Sequence, residues 1–126
     1  MCSKDLFVIV TIVFPLVLAT RAFAGEPSGE DIFKAKCANC HSTTGGMSTL
    51  APDLHGVVGR KVASLSNFKY SPALEELDFV WTPEKLDSWL ASPHKVAAET
   101  DMTFIGLKDA KERAAVIEFL KSFTAK

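Results

Sequence analysis

The segment "KAKCANCHST" sets Cys37 and Cys40 three positions apart with His41 directly after them. The only other cysteine, Cys2, lies at the extreme N-terminus. Two thiols and an imidazole packed into one short segment point to a single shared centre, and its nature constrains everything the remaining chain can do. A zinc site would need four ligands, usually completed by a second C-x-x-C or a spaced histidine pair downstream. His55 falls at a workable distance after Cys40, but positions 59–61 are Gly, Arg and Lys, and His94 is solitary. A thioredoxin-type dithiol belongs at the end of a strand in a βαβ unit, and no strand pattern precedes Cys37. A structural disulfide between Cys37 and Cys40 would close a tiny loop and stabilise little. The remaining reading is covalent haem attachment by C-x-x-C-H, a motif rare by chance.

The N-terminal segment has the layout of a secretory leader. Lys4 precedes an apolar-rich run from Leu6 to Ala19, and Ala22-Phe23-Ala24 forms a small-x-small cleavage signature. A permanent membrane span needs roughly 20 apolar residues, so this run is short, and Pro15 interrupts it. The expected organisation is a cleaved signal peptide at 1–24 and one domain at 25–126, exported to the periplasm. The alternative is an uncleaved N-terminal anchor in the inner membrane. Loss of Lys4, Asp5 and Arg21 with the leader leaves 12 basic against 14 acidic side chains, a net charge of −2. That balance gives no general attraction for nucleic acid and no basic face for lipid head groups.

Helix signals organise the domain. Ser28 with Asp31 resembles a capping box, and Gly29, Phe33 and Cys37 then share one face, predicting a first helix over 29–40. Ser71-Pro72 and Thr82-Pro83 each join an N-cap residue to a proline at the first helical position, predicting short helices near 72–77 and 83–91. Asp109 with Glu112 starts the last helix, where Val116, Phe119, Leu120 and Phe123 recur at i, i+3, i+4 and i+7. Long connections at 41–70 and 92–108, the second interrupted by Pro93, are more than a small protein core supports by itself, so something large should fill the space they enclose.

A haem iron held by His41 needs a sixth ligand or an open position. After the leader only Met47 and Met102 remain as thioethers. Met47 is on a short tether from His41, whereas Met102 stands in an irregular stretch before the last helix, from which it can reach the opposite face. An arbitrary methionine is more often a gap-filler in a core, but the C-x-x-C-H context favours Met102 as a ligand. His94 competes, although a solvated loop histidine is its ordinary role.

The segments "CANCHS", "APDLHGVVGRK", "YSPALEELDFVWTPEKLDSWLASP" and "DMTFIGLKDAKERAAVIEFL" run in an order and at separations that resemble the class I c-type cytochromes, the group of mitochondrial cytochrome c and its bacterial soluble relatives. The resemblance covers residues 28–123. It implies an all-α fold of four to five helices and long loops wrapped around one covalently attached haem c. It further implies that Cys37 and Cys40 form the thioethers, His41 is the proximal ligand and Met102 the distal one. Pro52 matches the proline whose carbonyl accepts from the proximal imidazole, which fixes its tautomer and raises its basicity. Arg60, Tyr70, Trp81 and Thr100 match residues around the haem propionates, where each can donate to a buried carboxylate. Gly29 and Phe33 match positions where the first helix meets the last.

The function implied is one-electron transfer by a monohaem carrier, not an enzyme, between respiratory or dehydrogenase donors and a terminal oxidase or reductase. A thioether ligand and a dry pocket favour the reduced metal. The alternatives are an electron-transfer subunit of a larger periplasmic oxidoreductase, or a haem sensor if Met102 is labile. Redox partners would dock at the haem edge near Lys36, Lys95 and Lys108, with the chain a monomer. The segment before the distal ligand departs from the family's Pro-Gly-Thr-Lys-Met: here it reads Ala98-Glu99-Thr100-Asp101-Met102, so the basic ring is incomplete.

Overall fold

A computed structural model describes residues 25–46 and 50–124. The leader reading and Met47 lie outside these residues. Helix α1 (Gly29–Lys36) begins on the reciprocal bonds anticipated from its sequence. Ser28 Oγ accepts from the Asp31 N–H at 3.2 Å, and the Asp31 carboxylate accepts from the Ser28 N–H at 3.3 Å. The helix is shorter than the 29–40 expected. Cys37 leaves helical geometry at φ −121°, and the Ala38 N–H reaches back to the Phe33 carbonyl at 3.0 Å, one residue beyond the helical register. Cys37 to His41 form a separate turn in which the N–H groups of Cys40 and His41 both donate to the Cys37 carbonyl, at 3.0 and 2.9 Å.

Helices α2 (Pro72–Glu75) and α3 (Pro83–Ala91) start at the two cap-proline pairs. Thr82 caps α3 by accepting from the Lys85 N–H at 3.3 Å, whereas Ser71 makes no side-chain cap bond. The same signal recurs at Ser92-Pro93, and there it starts α4 (Pro93–Val96) within the 92–108 connection expected to be loop. Helix α5 (Ala110–Lys121) starts after Asp109, whose Oδ1 accepts from the Lys111 N–H at 2.8 Å. The described residues thus form five helices.

Two crossings hold the framework. α1 packs on α5, and a Cβ built on Gly29 would lie 1.9 Å from the Ala115 carbonyl oxygen and 2.9 Å from the Phe119 Cβ. Only a glycine permits that approach. Phe33 and Phe119 stack beside it at 5.3 Å between centroids. α3 packs on α5 on the other side, and Leu86, Trp89, Leu90, Val116, Ile117 and Leu120 form the shared buried core. The long connection after His41 is tied in by an antiparallel pairing rather than a helix. The Gly59 N–H donates to the Trp81 carbonyl at 2.8 Å, the Trp81 N–H to the Arg60 carbonyl at 2.9 Å, and the Val62 N–H to the Phe79 carbonyl at 2.9 Å. No described helix is long and apolar enough to cross a membrane.

Candidate haem site

The attachment turn sits at the end of α1 with its cysteines in different environments. Cys40 is exposed, and Cys37 is half-buried against the core cluster; both thiols are free of a disulfide. Burial pushes the Cys37 thiol above its ordinary pKa, with the neighbouring Cys40 adding to the effect. Among the described residues no group of three or more His, Cys, Asp or Glu side chains is placed to hold a metal ion. The zinc alternative therefore has no ligand set there.

His41 is the best-defined part of the site. Its Nδ1 lies 2.8 Å from the Pro52 carbonyl oxygen. A carbonyl can only accept, so Nδ1 carries the proton and donates. Nε2 is then left with its lone pair available, the arrangement of a histidine prepared to bind a metal. Burial pushes the imidazole pKa down, against the opposing pull of the Pro52 carbonyl and of the Asp53 charge. Desolvation thus keeps the ring neutral, as ligation requires.

The loop that presents Pro52 is closed on itself. The Leu54 N–H donates to the Ser42 carbonyl at 2.7 Å, and His55 Nδ1 donates to the Thr43 carbonyl at 3.1 Å. His55 is thereby tied into the loop, and among the described residues it belongs to no group of three or more side chains able to hold a metal ion. Inside it, the buried Asp53 carboxylate accepts from the Gly45 N–H at 3.1 Å and from the His55 N–H at 2.7 Å. Sequence reasoning passed over Asp53. An acidic residue between Pro52 and Leu54 was the available signal, but its burial depends on a loop closure no local pattern announces.

Arg60, Tyr70 and Trp81 come together. The Arg60 backbone pairs with Trp81 as described, and its guanidinium donates to the carbonyls of Asp53 at 2.9 Å and His55 at 3.0 Å. Two of its five N–H donors are thereby used to anchor the loop, a role the sequence did not suggest. Burial lowers the Arg60 pKa, opposed by Tyr70 and Asp53. Burial raises the Tyr70 phenol, opposed by the Leu65 backbone and by Arg60. Trp81 is buried edge-on between Phe79 and Trp89, at 4.9 and 5.4 Å between centroids. Thr100 is placed differently: its Oγ1 accepts from the Met102 N–H at 3.3 Å, so it shapes the Met102 segment directly.

Met102 is half-buried and packs against the same core cluster as Cys37, in a helix-free segment between α4 and α5. The segment is pinned at both ends. The Thr100 N–H donates to the Ala97 carbonyl at 3.1 Å, and the Leu107 N–H to the Leu90 carbonyl at 2.7 Å. Gly106, at φ +101°, lies so close to α3 that a Cβ there would sit 2.2 Å from the Ala91 carbonyl oxygen. Two free thiols, an imidazole with Nε2 available, and a core-facing thioether are a donor set that fits a covalently held haem.

Residues 28–124 match the family described as Cytochrome c. The chain belongs to the cytochrome c family. It is a class I c-type cytochrome, and Cys37 and Cys40 are the pair through which cytochromes c carry one covalently bound haem c. It is 41% identical over 95 residues to the "Cytochrome c-type cyt cy" of Rhodobacter capsulatus, covering 75% of this chain but 47% of that protein. The chain thus spans about half the length of that relative. To "Cytochrome c type-1" of Ascaris suum it is 39% identical over 94 residues, covering 75% of this chain and 84% of that one. To "Cytochrome c" of Sesamum indicum it is 39% identical over 99 residues, covering 78% and 89%. Membership makes the chain a monohaem c-type electron carrier.

Proposed function

We propose that this cytochrome c is a periplasmic one-electron carrier, exported by its leader, that shuttles between respiratory or dehydrogenase donors and a terminal oxidase or reductase. It is not itself an enzyme. The observation that carries the reading is the 2.8 Å bond from His41 Nδ1 to the Pro52 carbonyl, which fixes the tautomer and leaves Nε2 for the iron. Haem bound at Cys37 and Cys40 supplies the Fe(II)/Fe(III) couple. The chain's own residues do the rest. His41 and Met102 would hold its iron and so would leave no position there for a substrate. The thioether and a dry pocket would favour the reduced metal. Arg60, Tyr70, Trp81 and Thr100 would hold the propionates, and the apolar residues packed around Trp81 would limit the access of water. Exposed Lys36, Lys95 and Lys108 provide the contact surface for redox partners, and the carrier works as a monomer.

The sixth ligand is the decisive test. The oxidised protein should show a weak near-infrared sulfur-to-iron charge-transfer band. Met102→Ala should abolish it, lower the reduction potential and open the ferrous protein to carbon monoxide. Met47→Leu should leave the band in place. Loss of the band in Met47→Leu with retention in Met102→Ala would overturn the ligand assignment. Carbon monoxide binding by the unaltered protein would instead favour the sensor reading.

A further inference from the structure

We propose that the buried Asp53 carboxylate sets the reduction potential of the haem, acting as a fixed negative charge that favours the ferric state. The proposal rests on the reading of His41 as an iron ligand. Asp53 is the only acidic side chain buried among the described residues, at 6% exposure. It immediately follows Pro52, whose carbonyl holds His41 Nδ1 at 2.8 Å.

Among the described residues no cationic side chain pairs directly with the Asp53 carboxylate. Both carboxylate oxygens accept from neutral backbone donors, Oδ2 from Gly45 at 3.1 Å and Oδ1 from His55 at 2.7 Å. Arg60, whose charge interacts with that of Asp53, aims its N–H groups at the carbonyls of Asp53 and His55, not at the carboxylate. None of the ion pairs among the described residues includes Asp53. A buried charge is screened far less than a surface one. Ferric haem carries one more positive charge than ferrous haem, so a nearby fixed anion stabilises it selectively. Burial and charge near a metal are established levers on its potential.

A role confined to holding the loop would also follow from the bonds to Gly45 and His55, so the test separates charge from shape. Asp53→Asn keeps one oxygen acceptor and the size while removing the charge. In the holoprotein, redox titration should show a shift toward the ferrous form of about tenfold, or about 59 mV for one electron. Asp53→Glu keeps the charge and should stay near the parent potential. The exposed Glu99→Gln should shift it much less, and added salt should erode that small shift but not the Asp53→Asn one. The His41 Nδ1–H, followed by NMR exchange, should remain protected in Asp53→Asn. If Asp53→Asn does not fold, Asp53→Ser offers an oxygen acceptor without charge and serves the same comparison. An unchanged potential, an equal rise in Asp53→Glu, or loss of His41 Nδ1–H protection in the neutral variant would overturn the proposal. Failure of the His41 reading would appear separately, as a low-spin spectrum surviving in His41→Ala.

Discussion

Arg113 in α5 donates through Nε to Oδ1 of Asp87 in α3 at 2.7 Å, and through Nη1 to the carbonyls of Leu107 at 3.0 Å and Lys108 at 3.1 Å. One guanidinium therefore ties together two helices and the C-terminal end of the segment that carries Met102. The Arg113 side chain is 13% exposed and that of Asp87 46%, so the pair is partly desolvated and worth more than a surface contact. Arg113→Ala should destabilise the protein by about 1–3 kcal/mol, mostly by leaving the two carbonyls and Asp87 without a partner. Asp87→Asn should cost less than about 1 kcal/mol, because the carbonyl bonds persist. In urea titrations of Arg113→Ala, the near-infrared band should disappear at lower denaturant than the helical circular dichroism. Coincident loss of both signals would show that the clamp is unrelated to Met102.

Gly29→Ala should weaken the α1–α5 crossing. The added methyl would meet the Ala115 backbone at 1.9 Å, and backbone cannot rotate aside as a flexible side chain can. Overpacking of this kind costs about 1–3 kcal/mol. The better helix propensity of alanine, worth about 1 kcal/mol at most in a helix interior, recovers little at the first position of α1. The midpoint of chemical denaturation should fall, with the charge-transfer band of the folded protein unchanged. A midpoint equal to that of the parent would mean that the two helices separate at no cost.

Electron transfer should respond to salt in a graded way. Lys36, Lys95 and Lys108 are exposed, and none of them forms an ion pair among the described residues. Glu99 and Asp101 are exposed beside Met102 and oppose them. Rates with an acidic partner should fall as salt is added, since screening at physiological ionic strength acts over about 8 Å. The slope should steepen in the Glu99→Gln, Asp101→Asn double variant. Stopped-flow rates that rise with salt would show that the two carboxylates dominate the docking face.

Export predicts a processed N-terminus. Intact-mass measurement of the protein from its native host should give a chain starting at Gly25 plus one haem, recovered from the soluble periplasmic fraction. A mass that retains residues 1–24, with the protein in the membrane fraction, would establish the anchored alternative.

What the sequence determined by itself is local chemistry. Ser28 with Asp31, Thr82 with Pro83, and Asp109 before α5 each act within a few residues, so their caps could be read directly and formed as expected. Ser92-Pro93 carries the same signal and was submerged in a stretch read as loop. The cysteine pair and its histidine were equally plain, because covalent attachment needs those groups adjacent. Their exact setting was not, since α1 ends at Lys36 and hands over to a separate turn. Tertiary structure alone decided which distant groups meet. Ala115 opposes Gly29 only because α1 and α5 cross there, and Arg113 finds Asp87 only because α3 packs on the same helix. Asp53 gives no hint of burial along the chain. It is enclosed when the Leu54 N–H closes the loop on the Ser42 carbonyl and Arg60, itself paired through its backbone with Trp81, donates to the Asp53 and His55 carbonyls. A cap is fixed by dihedral preferences and hydrogen bonds within one turn of chain, whereas the environment of a buried charge is the sum of contacts from segments tens of residues apart.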